Sequence, residues 1–195
     1  MVVIGQQRQR NAGGGVSSSY IQPEGFRTAQ RAMRLAAKFD IPLITLIDTS
    51  GPSLNLEAEE RGIGYAIATS IAQMTQLPVP IVAAIVGEGG REGALALGIA
   101  DRILMLENAI YTPISPEGAA SLMYRDDSRA EDAARSLRLT AADALDMKII
   151  DDVVPEPQDG AHTDPDESAH LLQRALVRAL AQIQGVPVGK LLKKR

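Results

Sequence analysis

The sequence predicts an α/β fold, and three observations carry that expectation. Two continuous branched apolar runs, Ile41–Ile47 and Val79–Val86, read as strands buried on both faces. Segments with helical apolar spacing separate these and the shorter strand-like runs. Hydrophobic residues make up 45% of the 195 residues, enough for a sizeable core, yet aromatics are only 3% and Trp is absent. Ala, Leu, Ile and Val must therefore fill the interior.

Val2–Gly5 reads as a strand, and its place at the head of the sequence suggests an edge strand or a missing upstream partner. Asn11–Ser19 is Gly/Ser-rich and predicts a mobile loop. Pro23 opens a helix at about Glu24, whose carboxylate suits the N-terminal dipole. Phe26, Ala29, Met33, Ala36 and Ala37 share one face of it, and Arg27, Arg31, Arg34 and Lys38 lie largely elsewhere. Asp40 ends the helix, and the first buried strand follows. After the loop DTSGPSLN a second helix is expected near Glu57–Gln76, with a stripe of Gly62, Ala66, Ser70 and Met74 that suits close packing against a partner or within the chain.

The second buried strand leads into Gly87–Gly93, read as a turn, and then a short helix from Gly93 to Ile99. Arg102–Leu106 and Ile110–Thr112 are further short strands. Ser128–Leu137 and Thr140–Met147 read as helices opened by hydroxyl N-caps. Ile149–Val154 is the last strand, Pro155, Pro157 and Gly160 break the chain, and Asp166–Ile183 is a closing amphipathic helix. Residues 1–195 are expected as a single domain with 185–195 a flexible tail, and Lys190, Lys193, Lys194 and Arg195 as solvated basic residues within it.

Composition narrows the function. Lys plus Arg is 20 against 24 Asp plus Glu, a net charge of −4, which gives no support for broad capture of nucleic acid. Without cysteine there is no disulfide, thiol nucleophile or thiolate metal site, and no metal site is expected. No apolar run approaches the roughly 18–20 residues that span a bilayer. MVVIGQQRQR lacks the apolar stretch of a secretory signal, so the expectation is a cytoplasmic protein with no membrane partner. The two histidines, His162 and His170, read as surface residues. Sequence order leaves a Ser–His–Asp arrangement open, but neither histidine lies in a recognisable motif and no G-x-S-x-G occurs.

Three loops remain as carriers of chemistry. Gly87-Glu88-Gly89-Gly90-Arg91-Glu92-Gly93 follows a buried strand and opens a helix, but is neither a P-loop nor G-x-G-x-x-G. It is either a tight turn without a ligand or a set of backbone N–H groups that bind an oxyanion, and spacing leaves both open. Asp48-Thr49-Ser50-Gly51-Pro52 leaves the other buried strand, at the edge where ligands collect in α/β sheets. Ile114-Ser115-Pro116-Glu117-Gly118-Ala119-Ala120 could line the same cleft. Glu117 is either a base or, more simply, a helix-start residue.

Taken together, VVIGQQRQR, PEGFRTAQRAMRLAAKF, PLITLIDTSG, EAEERG, PVPIVAAIVGEGG, GALALGIADRILMLENAIYTPISPEGAAS and IIDDVVPEPQDGAH resemble the carboxyltransferase alpha subunit of bacterial and plastid acetyl-CoA carboxylase. The match runs from Val2 to about His162. The resemblance implies a crotonase-like (ClpP/crotonase) superhelix of strand-strand-helix turns. It implies transfer of a carboxyl group from carboxybiotin to acetyl-CoA, or another acyl-CoA, giving malonyl-CoA for fatty acid biosynthesis. It implies no covalently bound cofactor, because carboxybiotin is supplied by a biotin carboxyl carrier protein. A beta-type carboxyltransferase subunit, in a homo- or hetero-oligomer, would complete the site. By the same resemblance, backbone N–H groups at Glu92, Gly93 and Ala94 form an oxyanion hole. Gly89, Gly90, Asp48, Thr49, Ser50, Gly51, Ser115, Pro116, Glu117 and Gly118 line the substrate site.

The chain departs from that family in two places. Where the family has Gly-Gly-Ser-Gly-Gly-Ala, this chain has Gly89-Gly90-Arg91-Glu92-Gly93-Ala94. Where the family has Asp-Thr-Pro-Gly-Ala-Tyr-Pro-Gly, it has Asp48-Thr49-Ser50-Gly51-Pro52-Ser53-Leu54-Asn55. The family's long N-terminal helical segment and the strand before Val2 are also missing, as expected of a detached half of a fused carboxyltransferase. Two rival readings follow: a non-catalytic half kept for assembly, and a stand-alone crotonase-like hydratase or isomerase using Glu88 or Glu117 as base.

Overall fold

In the computed structural model, which describes residues 1–6 and 20–195, the two apolar runs lie side by side at the centre of a parallel sheet. The strands are β1 (Val2–Gly5), β2 (Tyr20–Ile21), β3 (Leu43–Thr49), β4 (Gly51–Pro52), β5 (Ile81–Gly90), β6 (Arg102–Leu106), β7 (Ile110–Thr112) and β8 (Asp152–Val154). Their order is β1-β3-β5-β6-β8, and β7 also pairs with β5. The short pair β2-β4 forms a separate parallel ribbon. Parallel neighbours need crossovers, and the helices supply them: α1 (Pro23–Phe39), α2 (Leu56–Glu60), α3 (Ile63–Gln76), α4 (Arg91–Gly98), α5 (Pro116–Tyr124), α6 (Ala130–Leu137), α7 (Ala141–Asp146), α8 (Pro165–Ile183) and α9 (Val188–Lys194). The loop expected at Asn11–Ser19 lies outside the described residues.

The core follows the expected pattern. Leu43, Ile47, Ile81, Val82 and Ile85 are closed from solvent because helices cover both faces of β3 and β5. Phe26 packs with Ala58, Ile63, Ala66 and Ala96 in a second cluster beneath the crossover helices. Two buried polar side chains in this core find backbone partners. Thr45 Oγ1 donates to the Leu97 carbonyl at 2.8 Å, and Gln30 Nε2 donates to the Ala66 carbonyl at 2.9 Å. That amide sits against Ala66 and Ser70, so the small-residue stripe faces α1 inside the chain rather than another molecule.

Several boundaries differ from the sequence expectation, each for a local reason. The helix expected over Glu57–Gln76 is two helices, because Gly62 takes φ 73°, a left-handed conformation open to glycine. Asn55, not a glutamate, caps the first of them, its Oδ1 accepting from the Ala58 N–H at 2.9 Å. The second buried strand runs on to Gly90, since Glu88, Gly89 and Gly90 pair with β7. α4 accordingly begins at Arg91. The helix expected from Ser128 is a 3-10 turn, Asp127–Arg129, followed by α6; Asp126 Oδ1 takes the Ser128 N–H. Ile149 and Ile150 close α7 through bonds to the Ala144 carbonyl, so β8 starts only at Asp152.

The largest difference is at the C-terminal residues. Residues 188–194, expected as a flexible tail, form α9 with Leu191 buried. The Arg195 and Asp101 side chains are both fully closed from solvent, and Nη2 meets Asp101 Oδ2 at 2.6 Å. Arg195 also donates Nε to Asp101 Oδ1 at 2.8 Å and Nη1 to the Leu77 carbonyl at 2.6 Å. A guanidinium has five donors, and this pocket of carboxylate and carbonyls engages all of them.

Candidate functional site

The site lies where β3 and β5 end. A register shift between Ile47 and Thr49 pushes Asp48 out of the ladder. Its carboxylate then stands over Gly87, where an added Cβ would lie 2.5 Å from Oδ1, and it accepts the Glu88 N–H at 2.9 Å. Gln6 Oε1 accepts the Asp48 N–H at 2.9 Å. Ser50 Oγ donates to Glu88 Oε2 at 2.7 Å, tying the two strand ends together. Thr49 is buried, its hydroxyl bonded to both the N–H and the carbonyl of Gly51.

Glycines let backbone meet backbone here. A Cβ on Gly90 would stand 2.6 Å from the Ser50 carbonyl carbon and 2.7 Å from the Thr49 carbonyl oxygen. One on Gly93 would stand 2.9 Å from the Gly51 carbonyl carbon. The first turn of α4 is thus pressed against the Thr49–Pro52 loop. Ala94 is fully buried just behind it. The N–H groups of Glu92 and Gly93 fall in the first turn, where a helix offers no carbonyl of its own. Among the described residues, no side chain and no carbonyl outside the helix accepts from them. Such N–H groups carry the positive end of the helix dipole.

The two departing residues have defined positions. Arg91 takes φ 56°, uncommon for a residue with a Cβ, and its methylenes cover Gly51. The Glu92 side chain is 56% exposed and reaches only to within 3.8 Å of the Arg91 guanidinium. Its carboxylate therefore stands outside the pressed backbone of the turn.

Beside this turn a cavity of about 310 Å³ opens among α4, β7, α6 and α7. Arg91, Glu92 and Leu95 form one wall, Tyr111, Thr112 and Pro113 another, and Leu137, Met147 and Ile149 the floor. Arg138 stands at its edge, its charge met by Asp146 at 2.7 Å and Asp143 at 3.1 Å. These carboxylates hold the guanidinium proton above its ordinary value, Asp146 foremost. Tyr111 packs over Gly89, and burial pushes its hydroxyl pKa up from 10.0.

The structure therefore brings together Asp48, Thr49, Ser50, Gly51, Gly89, Gly90, Glu92, Gly93 and Ala94. It does not bring Ser115, Pro116, Glu117 and Gly118 to the cavity wall. Ser115 Oγ accepts the Gly118 N–H at 3.2 Å as the cap of α5, and Glu117 is an exposed first-turn residue. Gln6 and Tyr111 lie within family-like segments but carry no site signature of their own, and Arg138 lies outside those segments; the pairing of β7 with β5 brings Tyr111 over Gly89. His162 and His170 are exposed. Among the described residues, no group of three or more His, Asp or Glu side chains gathers to hold a metal ion. No helix among them is long and apolar enough to cross a membrane.

A parallel sheet whose central strand ends in a glycine-lined helix start is the architecture of a crotonase-like α/β chain. The solved structures agree on the fold: a Pseudomonas malonate decarboxylase hetero-tetramer in complex with malonate matches at TM-score 0.77 and 15% identity, over 95% of this chain and 75% of that one. The family model described as acetyl co-enzyme A carboxylase carboxyltransferase-like matches residues 1–195, and the chain belongs to that family. The acetyl-coenzyme A carboxylase carboxyl transferase subunit alpha of Treponema denticola is 45% identical over 201 residues, covering all of this chain and 65% of that protein. The corresponding subunit of Deinococcus radiodurans is 52% identical over 173 residues, covering 89% of this chain and 55% of that protein. The chain thus spans a little over half to about two thirds of these relatives' length.

Proposed function

We propose that this chain is the alpha-type half of a carboxyltransferase site, moving a carboxyl group from carboxybiotin to acetyl-CoA or a related acyl-CoA. The observation that carries the reading is the pair of first-turn N–H groups at Glu92 and Gly93, held against the Thr49–Pro52 backbone in a chain of this family. When the carboxyl group leaves biotin, negative charge develops on the ureido oxygen. Fixed backbone donors stabilise such charge without reorganising, and one lost donor costs roughly 10²–10³ in rate. The chain's part is to bind and orient that oxygen. Asp48, Ser50 and Glu88 lock the strand ends that set the distance between loop and helix.

Carboxyl transfer also needs charge stabilisation at the thioester enolate, so a beta-type subunit and a biotinylated carrier protein complete the reaction. The test is malonyl-CoA formation with each component omitted in turn. Activity is expected only with all three, and turnover by this chain with carrier alone overturns the division of labour. Gly93→Val crowds the Gly51 backbone and is expected to abolish transfer; unchanged transfer overturns the assignment of the donors.

A second reading, a non-catalytic half kept for assembly, is favoured by one observation: Arg91 and Glu92 replace small residues at the mouth of the turn. Arg91→Ser with Glu92→Gly separates the two. A large gain in transfer indicates a degraded site; little change indicates that the exposed Glu92 carboxylate never entered it. The hydratase reading has less support, since Glu117 is away from the cavity and Glu88 accepts from Ser50.

A further inference from the structure

Charge is distributed unevenly over a chain whose net charge is −4. On α1, Arg27, Arg31, Arg34 and Lys38 recur at helical spacing on one exposed face, opposite the buried Phe26, Ala29 and Met33. Arg27 pairs with Glu24 at 3.2 Å. Among the described residues, Arg31, Arg34 and Lys38 have no carboxylate within ion-pair distance. The neighbouring α3 carries no charged residue at all, so nothing there neutralises the stripe. A shallow groove runs between the two helices, lined by Arg34, Lys38, Gln73, Gln76 and Pro78. Its floor, Leu77, gives its carbonyl to Arg195, which brings the lysine-bearing α9 to the same end of the molecule.

The opposite charge is gathered elsewhere. Residues 151–167 contain seven carboxylates and neither lysine nor arginine. This stretch contains β8, at the far edge of the sheet from β1. Asp151 is neutralised by Arg102 at 2.6 Å, but Asp152, Asp159 and Asp166 face solvent with no cation in ion-pair distance among the described residues. The two surfaces sit on opposite sheet edges, so one molecule cannot join them.

We propose that the α1 face of Arg31, Arg34 and Lys38 docks the acidic surface of residues 151–167 on a second copy of this chain, head to tail. The occupant follows from charge complementarity, because the chain itself carries the acidic surface the basic face lacks. A nucleic acid fits less well: the chain's net charge is −4, and the exposed ring beside the stripe, Phe39, already carries the Lys38 ammonium over its face at 5.5 Å. Each copy keeps one free basic and one free acidic face, so association continues into chains or closed rings rather than stopping at two. The proposal is independent of the carboxyltransferase reading, since both surfaces lie outside the α4 turn.

Sedimentation equilibrium of the full chain across protein concentration and salt tests it. At low salt the weight-average mass is expected to rise with concentration. At about 1 M salt, where the Debye length is about 3 Å, it is expected to return to that of one chain. Arg31→Glu with Arg34→Glu is expected to weaken association about tenfold or more, and so is Asp159→Lys with Asp166→Lys. Mixing the two variants restores complementary faces and is expected to restore association. A single-chain mass at every concentration in low salt overturns the proposal. So does association that ignores salt, persists in either variant alone, or fails to return on mixing. Binding of polyglutamate or duplex DNA without self-association assigns another occupant and overturns it equally. If one variant fails to fold, judged by its melting curve, the other and the salt series still decide.

Discussion

β5 has two ends built by opposite rules. At Ile81 the strand begins in a closed electrostatic lock: the Ile81 N–H donates to Asp101 at 2.8 Å, and Asp101 is forked by Arg195. At Gly90 it ends in glycines, half-buried carboxylates and helix-start N–H groups without protein partners among the described residues. The first end satisfies every donor and excludes water. The second leaves two helix-start N–H groups without a protein acceptor among the described residues. One strand thus begins in a closed lock and ends in open donors.

The sharpest way to break that contrast is at the closed end. Arg195→Met leaves the Asp101 carboxylate buried without its counter-ion, and breaking a buried pair costs about 3–5 kcal/mol. Denaturant unfolding should show that loss, with the α4 turn's ligand-binding behaviour affected only through the folded fraction. Asp101→Leu in the Arg195→Met background should recover part of it, because two apolar groups leave no stranded charge. If Arg195→Met is neutral, the lock is decorative and the two ends do not differ as described.

The open end should respond to volume rather than charge. Gly90→Ala puts a methyl group 2.6–2.7 Å from the Ser50 and Thr49 backbone, which cannot rotate away. Overpacking of this kind costs about 1–3 kcal/mol. It should also spread the loop from the helix, so transfer in the assembled system falls by more than stability does. Equal losses of stability and transfer would make Gly90 a packing residue only.

What was legible in the sequence divides along the same strand. Continuous branched runs announce strands covered on both faces, so Leu43–Ile47 and Ile81–Val86 could be read directly. The tight turn was legible because glycines after a buried strand mark close backbone approach, as Gly90 and Gly93 show. The Arg195 lock was not, because its partners lie 94 and 118 positions away and a terminal basic run ordinarily means solvation. The break at Gly62 was hidden by an uninterrupted helical pattern on both sides. Ser115 and Glu117 take the simpler of their two readings: Ser115 caps α5 and Glu117 stands in its first turn, away from the wall of this cavity.

Arg91 sharpens the comparison by a smaller amount. Its left-handed backbone costs roughly 1–2 kcal/mol in a residue with a Cβ. Arg91→Gly relieves that strain but loses roughly 0.5–1 kcal/mol to the greater freedom of the unfolded chain. Thermal unfolding should therefore move little and toward greater stability, in contrast to Gly90→Ala one residue away. A clear loss of stability would mean that the Arg91 methylenes over Gly51 contribute more than the backbone strain subtracts.

The smallest expected effect is a pH dependence at the cavity wall. Tyr111 lies over Gly89, and burial raises its hydroxyl pKa above the ordinary 10.0. The neutral phenol is therefore the form the fold favours. Its contribution is fully present below pH 10.0, where the phenol is protonated in both states. Above that value the unfolded chain releases its proton first, so stability falls as pH rises through the folded value. Phenolate absorbance of the folded chain should report one tyrosine titrating above the others, and that late transition should vanish in Tyr111→Phe. The same substitution should flatten the alkaline fall in stability while leaving stability at neutral pH nearly unchanged, because no described hydrogen bond to the hydroxyl is lost. A late transition that survives in Tyr111→Phe would place the buried phenol elsewhere and leave the cavity wall wet. The C-terminal end of β5 would then be more open than its tight glycine contacts imply.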